Sequence, residues 1–181
     1  MGLLFALVAL PRVDAAEPPA QTFARTPAGG WQTVLAFPAP EADVRAALVD
    51  PIAAARFSPD ISAVTYLERG VCSTLRAVTS GFASVSYVYR RCPTVDGWHE
   101  TLVSSEDLDA YEVRWGFAPR GTTTVVTYMV RIDPHLPAPD FLLARQMRSS
   151  ISRIVSGLYR AVTAGMDARP TRAGDTVSGG R

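Results

Sequence analysis

The chain has 181 residues, 48% of them hydrophobic, and a formal net charge of +1. That length and apolar share suit one domain with a sizeable core, and near-neutrality argues against a nucleic-acid binder, since such domains are usually clearly basic. No Lys or Asn occurs, so apart from His99 and His135 every basic residue is Arg; a GC-rich genome explains the bias, and the missing Asn removes any N-glycosylation acceptor.

Residues 1–16 open with an apolar run, Gly2 to Leu10, too short to span a bilayer. It is followed by small residues around Ala15 and Ala16 and then by prolines. This is the layout of a secretory signal peptide, although no Arg precedes the run; the alternative is an apolar tail on a cytosolic protein. Residues 17–30 are rich in Pro, Ala, Gly and Thr and read as a linker, so the domain is expected over 31–165. Its first element is a strand from Trp31 that stops at prolines. Two short helices follow, one opening at Pro40 and Glu41 and one bounded by Pro51 and Pro59.

Ile61 to Glu68 then starts a run of strands. "CSTLRAVTSGFASVSYVYRRC" reads as a hairpin turning at Thr79 to Gly81, near the midpoint between Cys72 and Cys92, which come close enough to pair if the geometry permits. The alternative is two free thiols in a core; pairing fits an exported, periplasmic or secreted protein. "GWHETLVSS", "LDAYEVRWGF" and "TTTVVTYMVRI" supply three more strands. On the last two, Val113, Trp115 and Phe117 share one face, as do Thr124, Val126, Tyr128 and Val130. After "DPHLPAPD", with Asp140 as N-cap, comes the longest periodic stretch in the chain. Leu143, Met147, Ile151, Ile154, Leu158 and Val162 form an apolar stripe; Arg145, Arg148, Arg153 and Arg160 lie broadly opposite. Gly165 is the expected stop, and 166–181 read as a disordered tail.

A strand, two short helices, a six-stranded antiparallel meander and a long C-terminal helix make an α+β helix-grip layout, with a curved sheet of about seven strands wrapped around the last helix. The chain resembles the START-like (SRPBCC) superfamily, which includes the polyketide cyclase/dehydrase and birch-pollen-allergen families. The likeness rests on "LVDPIAAARFSPDISAV", on "VRWGFAPRGTTTVVTYMV" and on "LPAPDFLLARQMRSSISRIVSGL", and covers nearly everything from Trp31 to Thr163. These motifs specify a fold and none is a catalytic signature.

The resemblance implies a cavity between sheet and helix that binds a hydrophobic small molecule or lipid. The residues expected to line it are Tyr87, Tyr89, Tyr111, Val113, Trp115, Phe117, Val126, Tyr128, Leu143, Met147, Ile151 and Leu158. Periodicity alone fits a filled core equally well. No catalytic motif stands out. His99 and Glu100 are neighbours on a strand and point to opposite faces, so they cannot form an acid–base pair unaided. His135 reads as a surface residue or one at the cavity mouth, and Glu106, Asp107 and Asp109 as a solvated turn. Arg76 and Arg114 are expected to face solvent. Two Cys and two His at these spacings match no zinc pattern, and no cofactor is expected. The Arg face of the last helix fits transient contact with an anionic membrane surface. The expected function is therefore binding and transfer of a hydrophobic ligand; the alternatives are a cyclase or dehydratase acting on a polyketide-like substrate, and a structural domain with a filled core.

Overall fold

A computed structural model describes residues 22–58, 60–80, 84–136 and 139–167. Two strands come first, β1 (Thr22–Arg25) and β2 (Trp31–Phe37), followed by the short helices α1 (Glu41–Leu48) and α2 (Pro51–Ala55). Six strands follow: β3 (Ile61–Glu68), β4 (Ser73–Ser80), β5 (Ser84–Pro93), β6 (Gly97–Ser105), β7 (Leu108–Arg120) and β8 (Thr123–Pro134). The chain closes with α3 (Asp140–Asp167). All eight strands form one antiparallel sheet in the order β1-β2-β8-β7-β6-β5-β4-β3. The meander and the two helices before it are as the sequence suggests. Asp50 caps α2, accepting from the Ile52 amide at 3.1 Å, and Pro51 opens its first turn.

The first strand is an addition, because Thr22–Arg25 lies inside the segment read as linker. Four residues are too few to show an alternation against a background of Pro, Ala and Gly. The strand is held instead by Phe23 stacking on Trp31, with ring centres 5.0 Å apart, and by Arg25 over the same indole. Gly29, at φ +83°, makes the reversal between β1 and β2. The last helix also departs from expectation at both ends. Asp140 is its first residue rather than its cap, and the helix continues past Gly165 to Asp167. No neighbour crowds Gly165, and a glycine near a helix end weakens the last turn without ending it. The signal-peptide reading falls on residues outside those described, as do most of the tail and Gly81 of the expected turn.

Cys72 and Cys92 are joined, S–S 2.03 Å, where β4 begins and β5 ends. At Gly97 two strands approach closely: a Cβ there would lie 1.7 Å from the Trp115 carbonyl oxygen. The interior divides into two hydrophobic clusters. The larger joins β2, β7 and β8 to α1 and α3 and contains the fully buried Phe37, Ile151 and Leu158; each such side chain contributes about 1.5–3 kcal/mol. The smaller holds Leu75, Ala77, Tyr87, Tyr89 and Leu108. Among its members there is no residue of α3.

Candidate functional site

The register of the meander decides which side chains meet on the concave face. Tyr66 pairs with Leu75, Leu75 with Tyr89 and Tyr89 with Leu102. One step along, Arg91 pairs with Glu100 and Glu100 with Val113. Side chains directly opposite share a face, so the inward row running from β3 to β7 carries tyrosines, aliphatics and one arginine–glutamate pair. Arg91 and Glu100 are both 7% exposed.

Glu100 is the centre of a polar cluster. Tyr111 Oη donates to its Oε2 at 2.8 Å, and Arg91 Nε stands 3.7 Å from Oε1. Arg91 is held by two further contacts: Nη2 donates to the Leu48 carbonyl at 2.6 Å, and its guanidinium lies 4.7 Å from the Trp98 ring centre. Burial raises the Glu100 pKa above its ordinary 4.5, against the pull of Arg91 and of the Tyr111 hydrogen bond. Around it the rings of Tyr87, Tyr89 and Tyr111 contact one another at 4.7 to 5.8 Å. Burial first, and the Glu100 charge second, raise the phenol pKa values of these three and of Tyr128, so all four remain neutral hydroxyls. Chemically this is an apolar surface with one carboxyl group disposed to hold a proton and several hydroxyls that donate or accept.

The twelve side chains expected to line a cavity all fall on the inner side, and they split between the two clusters. Val113, Trp115, Phe117, Val126, Tyr128, Met147, Ile151 and Leu158 belong to the cluster under α3, with Leu143 half-buried at its margin. Tyr87 and Tyr89 belong to the other, and Tyr111 bridges the two. Ten of the twelve are buried, so the part beneath α3 is packed rather than open. The part around the tyrosines keeps a half-buried rim of Val64, Tyr66, Val85, Leu102 and Tyr111. A cleft of about 230 Å³, lined in part by Trp31, Glu112 and Arg114, lies on the convex face instead.

Other candidates are placed plainly. His99 faces outward, with Nε2 3.0 Å from Glu112 Oε1, and Arg114 donates to the same oxygen at 2.9 Å. Partial burial opposes ionisation of Glu112, but the bonds from Arg114 and His99 outweigh it and hold its pKa below the usual value. His135 is on the surface, 2.9 Å from Asp109, which raises its pKa. Asp107 accepts from the Ser86 amide at 3.1 Å. Arg76 and Arg114 are exposed. The arginines of α3 do not act as one face: Arg153 donates to Asp60 at 2.6 Å, beside Ser150 donating to the same carboxylate at 2.8 Å, and Arg148 covers Phe23. Glu100 and Arg91 were not among the expected residues. Alternation from Tyr89 and from Trp98 places them inward, but a charged residue on an inner face reads as an exception until the cross-strand register supplies its partner.

No protein-family model matches the chain, and no curated protein matches it. Solved structures do. A START superfamily protein from Mycobacterium smegmatis superposes with a TM-score of 0.66 at 16% identity, over 74% of this chain and 96% of that one. The chain has the START-like helix-grip fold. The same fold relates it to a STAR-related lipid transfer protein fragment from Xanthomonas axonopodis, at a TM-score of 0.62 and 16% identity over 79% of this chain and 98% of that one. A Streptomyces aromatase/cyclase matches at 0.59 and 14% identity, over 79% and 96%. Identities this low carry the helix-grip fold alone.

Proposed function

We propose that this helix-grip protein binds a hydrophobic small molecule or lipid on its concave face, over the tyrosine cluster, and transfers it. One observation carries the reading: the smaller hydrophobic cluster has a partly buried apolar rim and no contribution from α3. Apolar surface left in that state gains about 25 cal/mol per Å² when a ligand covers it. The polar end of the ligand then meets Glu100 and its hydroxyl neighbours, which favours a hydroxyl over an anionic group. α3 closes over the neighbouring half of the concave face, and the Asp60 contacts to Ser150 and Arg153 are the latch whose opening widens the path for the ligand. Transfer also fits the lipid transfer proteins that share the fold. Export to the periplasm or beyond is part of the proposal, supported by the disulfide and by the apolar run at residues 2–10.

The test is native mass spectrometry of the protein purified from its own cells, with solvent extraction of whatever is bound. A co-purifying apolar compound of defined mass supports the reading. Tyr66→Ala, on the partly exposed rim, is then expected to weaken its binding about tenfold, the loss of roughly 50 Å² of contact; a folded variant that binds as tightly as wild type sinks the site.

A second reading, a cyclase or dehydratase acting on a polyketide-like substrate, is favoured by the buried carboxyl of Glu100, which holds its proton to higher pH and could act as a general acid. Glu100→Gln separates the two. A carrier keeps transfer activity, whereas an enzyme loses turnover while retaining binding.

A further inference from the structure

The lead-in to α3 carries apolar side chains that the interior does not use. Leu136 is 78% exposed, Phe141 71% and Leu142 45%. All three lie within seven residues, just beyond β8 and in the first turn of the helix. Arg145 follows Phe141 by four positions and Leu142 by three, and Arg148 follows Phe141 by seven, so both arginines rise from the same side of the helix as the exposed pair. No acidic residue occurs from Phe141 to Gly165. Acids around the tip are matched: Asp140 by Arg25 at 3.8 Å, Asp109 by His135 at 2.9 Å and Asp133 by Arg131 at 2.5 Å. The end of the molecule is thus a small apolar tip with positive charge one and two turns behind it.

We propose that this tip docks on an anionic lipid surface, with Phe141, Leu142 and Leu136 seated at the headgroup boundary and Arg145 and Arg148 on the lipid phosphates. The size of the patch decides against a second copy of the chain as its occupant. Three side chains offer a few hundred Å² at most, well short of the ~800 Å² per partner of a stable interface. A lipid surface demands no shape complementarity, and it rewards this combination: apolar side chains for insertion, and long cationic ones that reach back to the phosphates. Arg148 lies over the Phe23 ring but remains exposed and offers its outer N–H groups. Arg153 is spent on Asp60 and takes no part, which confines the contact to the first two turns of α3. The docking site deepens the transfer reading by giving the carrier a place to meet its donor or acceptor, yet docking itself needs no ligand.

The experiment is flotation of the chain as its cells produce it, with vesicles of neutral lipid alone and vesicles that also contain anionic lipid. Wild type is expected to float with the anionic vesicles and to be released by salt. Phe141→Ser combined with Leu142→Ser should reduce partitioning roughly tenfold or more, and Arg145→Gln with Arg148→Gln should weaken it and flatten its salt dependence. All four positions are solvent-facing, so unchanged unfolding midpoints serve as the control. Equal partitioning of the serine variant and wild type overturns the proposal. So does indifference of wild type to lipid charge, or sedimentation showing a wild-type dimer that the serine variant abolishes. Binding of the extracted ligand in solution is measured on the same variants. It should be unchanged by the tip substitutions, and its failure in wild type would count against the ligand site while leaving the vesicle result standing.

Discussion

Tyr111→Phe is the sharpest probe of the polar cluster. It removes one oxygen and leaves the ring packed against Tyr87 and Tyr89. The lost bond, 2.8 Å to a buried carboxyl, is expected to destabilise the fold by about 1.5–3 kcal/mol where Glu100 is ionised, or a fall in Tm of roughly 4–10 °C at this chain length. In a Glu100→Gln background the acceptor is a neutral amide, and the same substitution should cost about 1 kcal/mol or less. The pH dependence has a definite sign. The folded Glu100 pKa is raised above 4.5 by burial, so the folded state keeps a proton that the unfolded state has released. Stability is therefore highest below the unfolded value, falls by about 1.4 kcal/mol per pH unit as pH climbs toward the folded value, and then levels. The Tyr111 bond favours the carboxylate; without it the folded value rises further and the decline continues to higher pH. The gap between variant and wild type should widen as pH rises through that window. Urea denaturation at a series of pH values measures it, in all four members of the double-mutant cycle. Equal costs of Tyr111→Phe in the wild-type and Glu100→Gln backgrounds, or a gap that ignores pH, would refute the pairing.

Three other outcomes follow from the packing. Gly97→Ala should destabilise by about 2–4 kcal/mol, read as thermal midpoint, because its methyl would meet the Trp115 backbone rather than a side chain able to turn away. Thr33→Val should stabilise by about 1 kcal/mol in the same assay, since the Thr33 hydroxyl is buried and has no hydrogen-bond partner among the described residues; a loss of stability would mean the hydroxyl is satisfied after all. Asp60→Asn should weaken the latch to Ser150 and Arg153, costing less than about 1 kcal/mol of stability while accelerating both uptake and release of ligand in stopped-flow. Unchanged rates would show that α3 opens elsewhere.

The meander was legible because its central strands keep alternation, as in Val113, Trp115 and Phe117 against Arg114, and α3 because its apolar stripe runs for several turns. The first strand was not, since its four residues gain their stability from a ring stack with Trp31 that no local pattern announces. The site was legible by half. The tyrosines of β5 and β7 declare their face through spacing, whereas Glu100 and Arg91 become intelligible only as a cross-strand pair, and pairing is a property of register. The sequence also spreads one lining across residues that the fold divides: those of β8 and α3 pack on each other, and the partly buried rim runs from β3 to β7.

The closure of the sheet has a kinetic consequence. Every pairing from β3 to β8 joins strands adjacent in sequence, but β2 lies against β8, so Trp31 meets Val130 across roughly a hundred residues of chain. Hairpins of the meander form early and the long loop closes late. A chain emerging from its N-terminus therefore holds β2, paired on one side with β1, with its other edge unpaired until β8 has been made. The tyrosine half of the concave face is assembled first, before the helix that will close over the other half exists.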